Sequence, residues 1–200
     1  GLRADDRRRD TVRVLNPLTE EQAVMRTSLV PSLLETVCRN LAYRNNDLRI
    51  FELRPVFHPV VGNELPDEKL RLTAILCGRR HPDGWAQERA AVDFYDLKGI
   101  AEEVLRLFGV TAVQWPSGNV EPFFHPGKSC EIHGSGGLLG TLGEVHPRTL
   151  EAFEIDQPVY LLDVDLAALF ALASGSARFR PLSRYPDVCR DSAFLIDDRI

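Results

Sequence analysis

The stretch from Asn16 to Asn40 constrains the fold of this chain more than any other stretch. It begins with the turn signal Asn16-Pro17, because proline fixes its own φ and disfavours helical backbone at the residue before it. Further along, apolar residues recur at steps of three and four, which is the spacing of one helix face. This face consists of Leu29, Leu33, Leu34, Val37 and Leu41. The pattern predicts an amphipathic helix that covers a sheet.

The start of this helix is marked by Pro31. Proline is tolerated in the first turn of a helix, where backbone N–H groups have no intrahelical acceptor. Thr27 or Ser28 is therefore the predicted cap, since a hydroxyl oxygen accepts hydrogen bonds from such N–H groups.

Most of the remaining chain has the residue pattern that is typical of strands and turns. Alternating or β-rich segments predict strands at residues 11–15, 48–58, 70–77, 92–95, 112–115, 130–133, 138–145 and 159–164. Segments 48–58 and 70–77 are predicted to form an antiparallel hairpin, with Pro55 indicating an edge strand or a bulge. Residues 134–137 (GSGG) lack the lysine of a phosphate loop and predict a hairpin turn.

Three further helices are predicted from capping signals. Asp96 is expected to cap a helix that ends at Gly109, Pro147 opens a short helix to about Phe153, and Asp165 caps another helix. The apolar face of the first of these is predicted to consist of Leu97, Ile100, Ala101, Val104, Leu107 and Phe108. Glu102 and Arg106 are predicted to form an ion pair on its wetter side. The fold class is therefore α+β, with a mostly antiparallel sheet.

Composition limits the possible functions. The 200 residues are 44% hydrophobic and 26% charged, which is typical of globular domains. The net charge of −5 argues against a broadly basic nucleic-acid surface. The four cysteines lie far apart with no C-x-x-C pair, so they predict neither a zinc knuckle nor a redox dithiol. With no apolar run of about 20 residues, we expect a cytoplasmic protein with no membrane contact.

The chain is predicted to divide into three parts. Residues 1–10 mix arginine with aspartate and predict a flexible lead-in. Residues 11–175 form the core domain, and residues 176–200 form a linker and the start of a truncated further domain.

Motifs with catalytic spacing are not found in the sequence. His125 and Lys128, in a turn-forming HPGK run, could bind an anion, and Glu144 and His146 would share a strand face. Two such ligands fall short of a three-ligand catalytic metal site. We therefore predict no catalytic, cofactor-binding or metal-binding residue in this chain.

An ordered series of short motifs resembles the bacterial phenylalanyl-tRNA synthetase β chain. The motifs are NPL at residues 16–18, MRTSL at 25–29, FE at 51–52, DFYDLKG at 93–99, HPGKS at 125–129, GTLGEVHP at 140–147 and SRYPDVCRD at 183–191. The resemblance spans residues 12–198, and it identifies residues 176–200 with the start of that family's anticodon-binding-like domain.

The resemblance implies a class II synthetase-like core that does not carry out aminoacylation. In that family the α chain holds the active site, α and β form a heterotetramer, and the whole enzyme uses ATP and Mg and contacts tRNA. The implied subunit-interface residues are Arg26, Leu29, Pro31, Leu33 and Arg39. The residues expected to line a vestigial pocket are Glu52, Arg54, His125, Lys128, Glu144 and His146.

Three functions remain open at this point. The first is a structural and assembly domain of phenylalanine–tRNA ligase. The second is a free-standing class II-like enzyme that uses ATP to adenylate a small acid, which would need ATP binding near Arg54 and His125. The third is a nucleic-acid-binding module, which the net charge disfavours.

Overall fold

A computed structural model describes residues 2–20, 23–62, 65–82, 84–85, 89–118, 120–173, 188–193 and 195. The helices are α1 (Val30–Ala42), α2 (Phe94–Leu107), α3 (Pro147–Ala152) and α4 (Leu166–Leu172). The strands are β1 (Leu48–His58), β2 (Asp67–Cys77), β3 (Phe124–Gly134), β4 (Gly137–Val145) and β5 (Val159–Asp165). The predicted α+β class is confirmed.

The strands form one sheet in the order β1-β2-β5-β4-β3, and neighbouring strands run antiparallel. The predicted β1–β2 hairpin is confirmed, with Leu48 opposite Cys77 and His58 opposite Asp67. The edge position predicted from Pro55 is also confirmed, because β1 is an outer strand. Residues 134–137 form the predicted turn, between β3 and β4.

Helices cover both faces of the sheet. On one face α1 and α3 pack against apolar residues of β2 and β5, including Ile75 and Leu161. On the other face α2 and α4 pack against Leu142 and Leu162. This arrangement buries the central strand β5 on both sides, which explains its nearly continuous apolar sequence.

Helix α1 presents the predicted apolar face to the core. Leu29, Leu33, Leu34 and Val37 are buried and Leu41 packs against the same cluster. The predicted cap was wrong by one or two residues, since the N-cap position is Leu29. Ser28 nevertheless accepts a hydrogen bond at 3.2 Å from the N–H of Val30, the first helical residue. The Ser28 hydroxyl therefore accepts a hydrogen bond from the first turn of the helix, as predicted, although Ser28 lies one residue before the N-cap position.

Helix α2 begins earlier than predicted, and residues 92–95 are not a strand. Asp93 is the N-cap, and its side chain accepts hydrogen bonds from the N–H groups of Tyr95 and Asp96 at 2.8 and 3.0 Å. Asp96 in turn accepts from the N–H of Asp93 at 2.8 Å. This reciprocal capping box makes Asp93, and not Asp96, the residue at which the loop ends and α2 begins. The left-handed stop at Gly109 is confirmed by its φ of +73°.

The buried stripe of α2 also differs from the predicted one. Leu97, Ala101 and Leu105 are buried, whereas Leu107 is 71% exposed. The face that meets the sheet is centred on these three residues, which lie four apart, so that Ile100 and Leu107 fall outside it. The predicted Glu102–Arg106 pair is replaced by Lys98–Glu102 and Glu103–Arg106 pairs.

Two predicted strands are reduced to single bridges. Residues 11–15 contribute the bridge between Arg13 and Val24, and residues 112–115 contribute the bridge between Gln114 and His133. A short alternating segment becomes a strand only where an extended neighbouring segment pairs with it. Each of these two segments pairs with its neighbour at one residue only. The predicted α3, α4 and the strands at 138–145 and 159–164 are confirmed, whereas the strand predicted at 130–133 is only the end of β3, which begins at Phe124. Most of the predicted C-terminal part, residues 176–200, lies outside the described residues, and the domain boundaries stay a prediction.

Candidate functional site

A row of polar residues crosses all five strands on the face that carries α1. Residues directly opposite each other on paired strands point to the same face, and the row occupies one such line of positions. Its members are Glu52, Thr73, Asp163, Thr141 and Glu131. Helix α1 covers the apolar positions two residues further along the strands, which leaves this row beside the start of the helix.

Arg71 and Asp163 form the centre of this polar row. Arg71 Nη2 and Nε donate to the two oxygens of Asp163 at 2.5 and 3.3 Å. The buried Thr73 hydroxyl donates to Asp163 Oδ1 at 2.8 Å, and Asp165 lies 3.5 Å from Arg71 Nη1. The guanidinium of Arg71 is therefore neutralised by two carboxylates of β5.

The lead-in segment at the start of the chain lies over this polar row, with Arg8 facing the sheet. A 3-10 turn at Arg7–Arg9 positions Arg8, whose guanidinium donates to Asp6 at 2.9 and 2.5 Å and to Glu121 at 2.5 Å. The Thr27 hydroxyl donates to the Arg8 carbonyl oxygen at 2.7 Å. Burial alone would lower the pKa of Arg8, but its bonds to Asp6 and Glu121 raise that pKa. Arg8 is thus a fixed cation that already has its counter-ions.

A cavity of about 190 Å³ lies between the lead-in segment and the sheet. Arg8, Thr27 and Ser28 line it on one side, and the sheet residues are Lys69, Arg71, Gly140, Thr141, Asp163 and Asp165. His58 also lines it, and burial together with the charge of Lys69 lowers the pKa of that imidazole below 6.5. Both effects favour the neutral form of His58. We call this cavity the sheet cleft and treat it as the candidate site.

The predicted pocket residues lie elsewhere, in two groups. On β1, Glu52 accepts from Arg26 Nη1 at 2.9 Å and contacts the Ser32 hydroxyl at 3.3 Å. Arg26 also donates from Nε to the Pro55 carbonyl at 3.0 Å. Arg54 is exposed and lies opposite Arg71 in the β1–β2 register. This group ties the start of α1 to the edge strand.

The second group lies on β3, β4 and the start of α3. Lys128 Nζ donates to the buried Glu144 at 2.8 Å. The rings of His125 and His146 stack with centroids 6.3 Å apart, and the Nδ1 atom of each accepts a backbone N–H at 3.1 Å. Burial, followed by the charge of Glu144, raises the pKa of Tyr160 to about 12. The six predicted pocket residues are thus divided between the two edges of the sheet.

The predicted interface residues also separate by exposure. Leu29 and Leu33 are buried in the chain's own core, whereas Pro31 and Arg39 are exposed and Arg26 is half-buried. Arg26 and Pro31 line an apolar groove of about 600 Å³ between the start of α1 and α3. Other groove residues include the apolar Leu2, Val24, Met25, Val30, Phe123, Ala152 and Phe153 and the charged Glu35 and Arg148.

The described residues contain neither a metal-binding cluster nor a helix able to span a membrane. Among these residues, no group of three or more histidine, cysteine, aspartate or glutamate side chains is arranged to hold a metal ion. Within the same part of the chain, no helix has the length and apolarity needed to cross a membrane.

Replacing Asp6 with asparagine should cost stability in a pH-dependent way. The hydrogen bond from Arg8 lowers the pKa of Asp6 from 3.8 to about 2. A lowered pKa contributes stability above the unfolded-state value, and that stability is lost as the pH falls through the folded-state value. Allowing for solvent screening, we expect Asp6→Asn to lose about 1–2 kcal/mol at pH 7. Urea unfolding should show the difference disappearing between about pH 4 and pH 2; a difference independent of pH would contradict this assignment.

The arrangement of the sheet and its helices is that of a class II aminoacyl-tRNA synthetase. The structure of pyrrolysyl-tRNA synthetase from Desulfitobacterium hafniense superposes with a TM-score of 0.61, covering 84% of this chain and 55% of that one at 18% identity. A second structure of that synthetase, titled PylSc, gives a TM-score of 0.57 and 20% identity over 81% of this chain and 52% of that one. At these identities the likeness concerns the fold alone.

The sequence narrows this class to one family. Residues 1–166 match the family model described as phenylalanyl tRNA synthetase beta chain CLM domain. The phenylalanine–tRNA ligase beta subunit of Syntrophotalea carbinolica is 58% identical over 100% of this chain and 25% of its own length. That of Geobacter metallireducens is 49% identical over 98% of this chain and 25% of its own. The chain belongs to the phenylalanyl-tRNA synthetase β chain family, and it spans about a quarter of the length of these curated relatives.

The sequence analysis missed Arg71, Arg8 and Glu121, which line the sheet cleft, and Thr73, which bonds to Asp163 beside it. A signal existed, because Arg71 and Thr73 alternate with leucines on β2 just as Asp163 and Asp165 alternate on β5. Their partnership depends on which strands become neighbours, and Arg71 and Asp163 are 92 residues apart. The alternation alone could not pair them.

Proposed function

We propose that this chain is the non-catalytic core domain of a phenylalanine–tRNA ligase β chain. Its role is structural: it supports assembly of the αβ heterotetramer that attaches phenylalanine to tRNA using ATP. The family membership supports the identity of the enzyme. The observation that carries the non-catalytic role is the neutralised state of Arg71 and Arg8 in the sheet cleft.

Adenylate formation from ATP develops negative charge that fixed cations must stabilise. Arg71 already faces Asp163 and Asp165, and Arg8 already faces Asp6 and Glu121. A triphosphate entering the sheet cleft would have to break these pairs and approach four carboxylates. The cavity of about 190 Å³ is also smaller than the roughly 300–1,000 Å³ of common ligand pockets. These features favour a scaffold over a free-standing adenylating enzyme.

The apolar groove between α1 and α3 is the proposed docking surface for the α chain. It has the largest volume of the cavities described, about 600 Å³, and its lining is mostly apolar. Arg26 and Pro31 belong to this surface, and Arg39 lies exposed further along the same helix. Leu29 and Leu33 are buried under this surface, and they support it indirectly because they pack α1 against the sheet.

The remaining parts of the proposal concern the whole enzyme. ATP and Mg act at the α chain, and this domain holds neither. The complex, and not this domain alone, contacts tRNA, and it works in the cytoplasm. We further propose that residues 11–175 form the core domain and that residues 176–200 lead into a further domain.

The docking proposal predicts that charge placed in the groove weakens assembly. Val24 and Ala152 are exposed groove residues, so Val24→Glu and Ala152→Glu should leave the fold intact. Because interface centres tolerate unpaired charge poorly, each should weaken association with the α chain about 30-fold, or about 2 kcal/mol. Light scattering of the intact protein mixed with its α chain, over a dilution series, measures this.

The matched control is Leu107→Glu, an exposed leucine on α2, on the opposite side of the sheet. It should assemble like the native protein. If the control weakens assembly as much as the groove variants, the docking surface is not this groove. If ATP·Mg binds saturably to the intact β chain without the α chain, and Arg71→Met removes that binding, the non-catalytic role is rejected.

A further inference from the structure

The apolar groove between α1 and α3 is lined by three charged residues, and they differ in how the chain uses their charge. Arg26 donates to Glu52 and to the Pro55 carbonyl, so its guanidinium is occupied within the fold. The other two are Glu35 and Arg148, and both are exposed. Within the described part of the chain, neither of these two side chains forms a salt bridge or a hydrogen bond.

These two unpaired charges lie on opposite walls of the groove. Glu35 is on α1, four residues after Pro31, which lines the same groove. Arg148 is in the first turn of α3. Although their charges are opposite, no ion pair joins the two in the structure as described, and the groove between their helices has a volume of about 600 Å³. The groove therefore offers an unpaired negative group on one wall and an unpaired positive group on the other.

The local structure gives no reason for the charge of Arg148. A cation in the first turn of a helix is disfavoured by the helix dipole, which stabilises anions at that position. The first turn of α3 contains no acidic residue to offset this effect. Arg148 also borders apolar groove residues, among them Ala152 and Phe153, and not a carboxylate of the same wall. An anionic group from outside the chain would supply the counter-charge that the fold does not.

We propose that the segment of the α chain that fills this groove is amphipathic and docks in one direction only. An apolar strip of the segment packs on the groove floor, a lysine or arginine faces Glu35, and an aspartate or glutamate faces Arg148. Complementary charges at the rim of an interface fix the register of the partner and exclude wrong ones. This inference rests on the proposed docking of the α chain, and it adds the chemistry and the direction of the docked segment.

The experiment follows association of the intact β chain with its α chain by light scattering over a dilution series. Glu35→Lys and Arg148→Glu should each weaken association about tenfold at low salt, because a like charge then faces the partner's residue. At about 0.5 M salt the loss should shrink to about threefold, since exposed charges are screened. The matched control is Glu151→Lys, the same charge change at an exposed residue of α3 that does not line the groove, and it should leave association unchanged.

The double variant Glu35→Lys/Arg148→Glu separates pairing with the partner from pairing between the two residues themselves. If the α chain supplies the opposite charges, exchanging the two charges should weaken association more than either single change. If the two residues pair with each other, the exchange should restore native association, and the proposal is rejected. Native association of either single reversal variant, or an equal loss in Glu151→Lys, rejects it as well.

Failure of this inference can be told apart from failure of the docking proposal. If Val24→Glu and Ala152→Glu weaken association but the two charge reversals do not, the α chain docks in the groove without contacting these charges. If none of the four changes weakens association, the groove is not the docking surface, and both proposals are rejected. Circular dichroism checks the fold of each variant. Where a reversal variant does not fold, Glu35→Gln or Arg148→Gln takes its place, with an expected loss of about threefold at low salt.

Discussion

Replacing Gly143 with alanine should destabilise the chain by about 3 kcal/mol, the upper part of the range for overpacked cores. Gly143 lies on β4, opposite Ser129 of β3. A Cβ atom built on Gly143 would meet the Cα of Ser129 at 2.8 Å and the carbonyl oxygen of Lys128 at 2.9 Å. Both neighbours are backbone atoms of a paired strand, so relief requires the two strands to separate. Guanidinium chloride unfolding, with an unchanged slope, measures the loss.

The control for this prediction is Gly99→Ala in α2, where an added Cβ meets nothing within 4 Å. Alanine there should stabilise the chain by about 0.5–1 kcal/mol, because glycine in a helix interior loses more backbone entropy on folding. Equal and small effects at the two glycines would mean that β3 and β4 are not as closely packed as described. Because β4 also carries Thr141, a large loss at Gly143 should be accompanied by a disturbed sheet cleft.

Replacing Arg71 with methionine should lower the free energy of unfolding by about 3 kcal/mol. Methionine preserves much of the apolar stem of the arginine side chain. The change leaves the buried carboxylate of Asp163 with the Thr73 hydroxyl but without its cation. Removing one partner of a buried ion pair costs about 3–5 kcal/mol, and the partial exposure of Arg71 places the expected value at the lower end. Thermal unfolding of the single variant and of Arg71→Met/Asp163→Asn measures the coupling. The double variant should recover at least half of the loss.

The chain offers a matched control in Arg54, which lies directly opposite Arg71 on β1 and is exposed. Arg54→Met should change stability by no more than about 0.5 kcal/mol. If Arg71→Met costs no more than Arg54→Met, the pair with Asp163 is not what stabilises the cleft. In that case Arg71 is not committed to its carboxylates, and the non-catalytic role of the cleft loses its support as well.

Much of the fold followed from short-range patterns. The spacing of leucines and valines predicted the buried face of α1, and Pro55 predicted an edge strand or a bulge, of which the edge position is found. Asp165 was predicted to cap α4, and its side chain accepts from the N–H groups of Ala167 and Ala168 at 3.0 and 3.1 Å. These features depend on residues within a turn or two of one another, so the local sequence contains the information.

Where two local signals competed, the prediction was wrong. Asp93 and Asp96 are both good caps, and the choice of Asp96 placed the start of α2 too late. The alternating residues 11–15 satisfied the strand pattern, but among the described residues they are assigned a single bridge, from Arg13 to Val24, and no strand. The cap is decided by the local capping box, whereas the extent of strand pairing at residues 11–15 depends on the partner segment that packs beside it.

The residues themselves established an α+β chain with a long amphipathic helix, a β1–β2 hairpin and no catalytic motif, and their ordered motifs identified the family. Only the tertiary structure decided that β2 lies beside β5, and with that the pairing of Arg71 with Asp163. The same holds for Arg8, whose partner Glu121 is 113 residues away. Helix faces and caps are set by neighbours in sequence, whereas a cleft between strands and a lead-in segment is set by long-range burial, which no local pattern encodes.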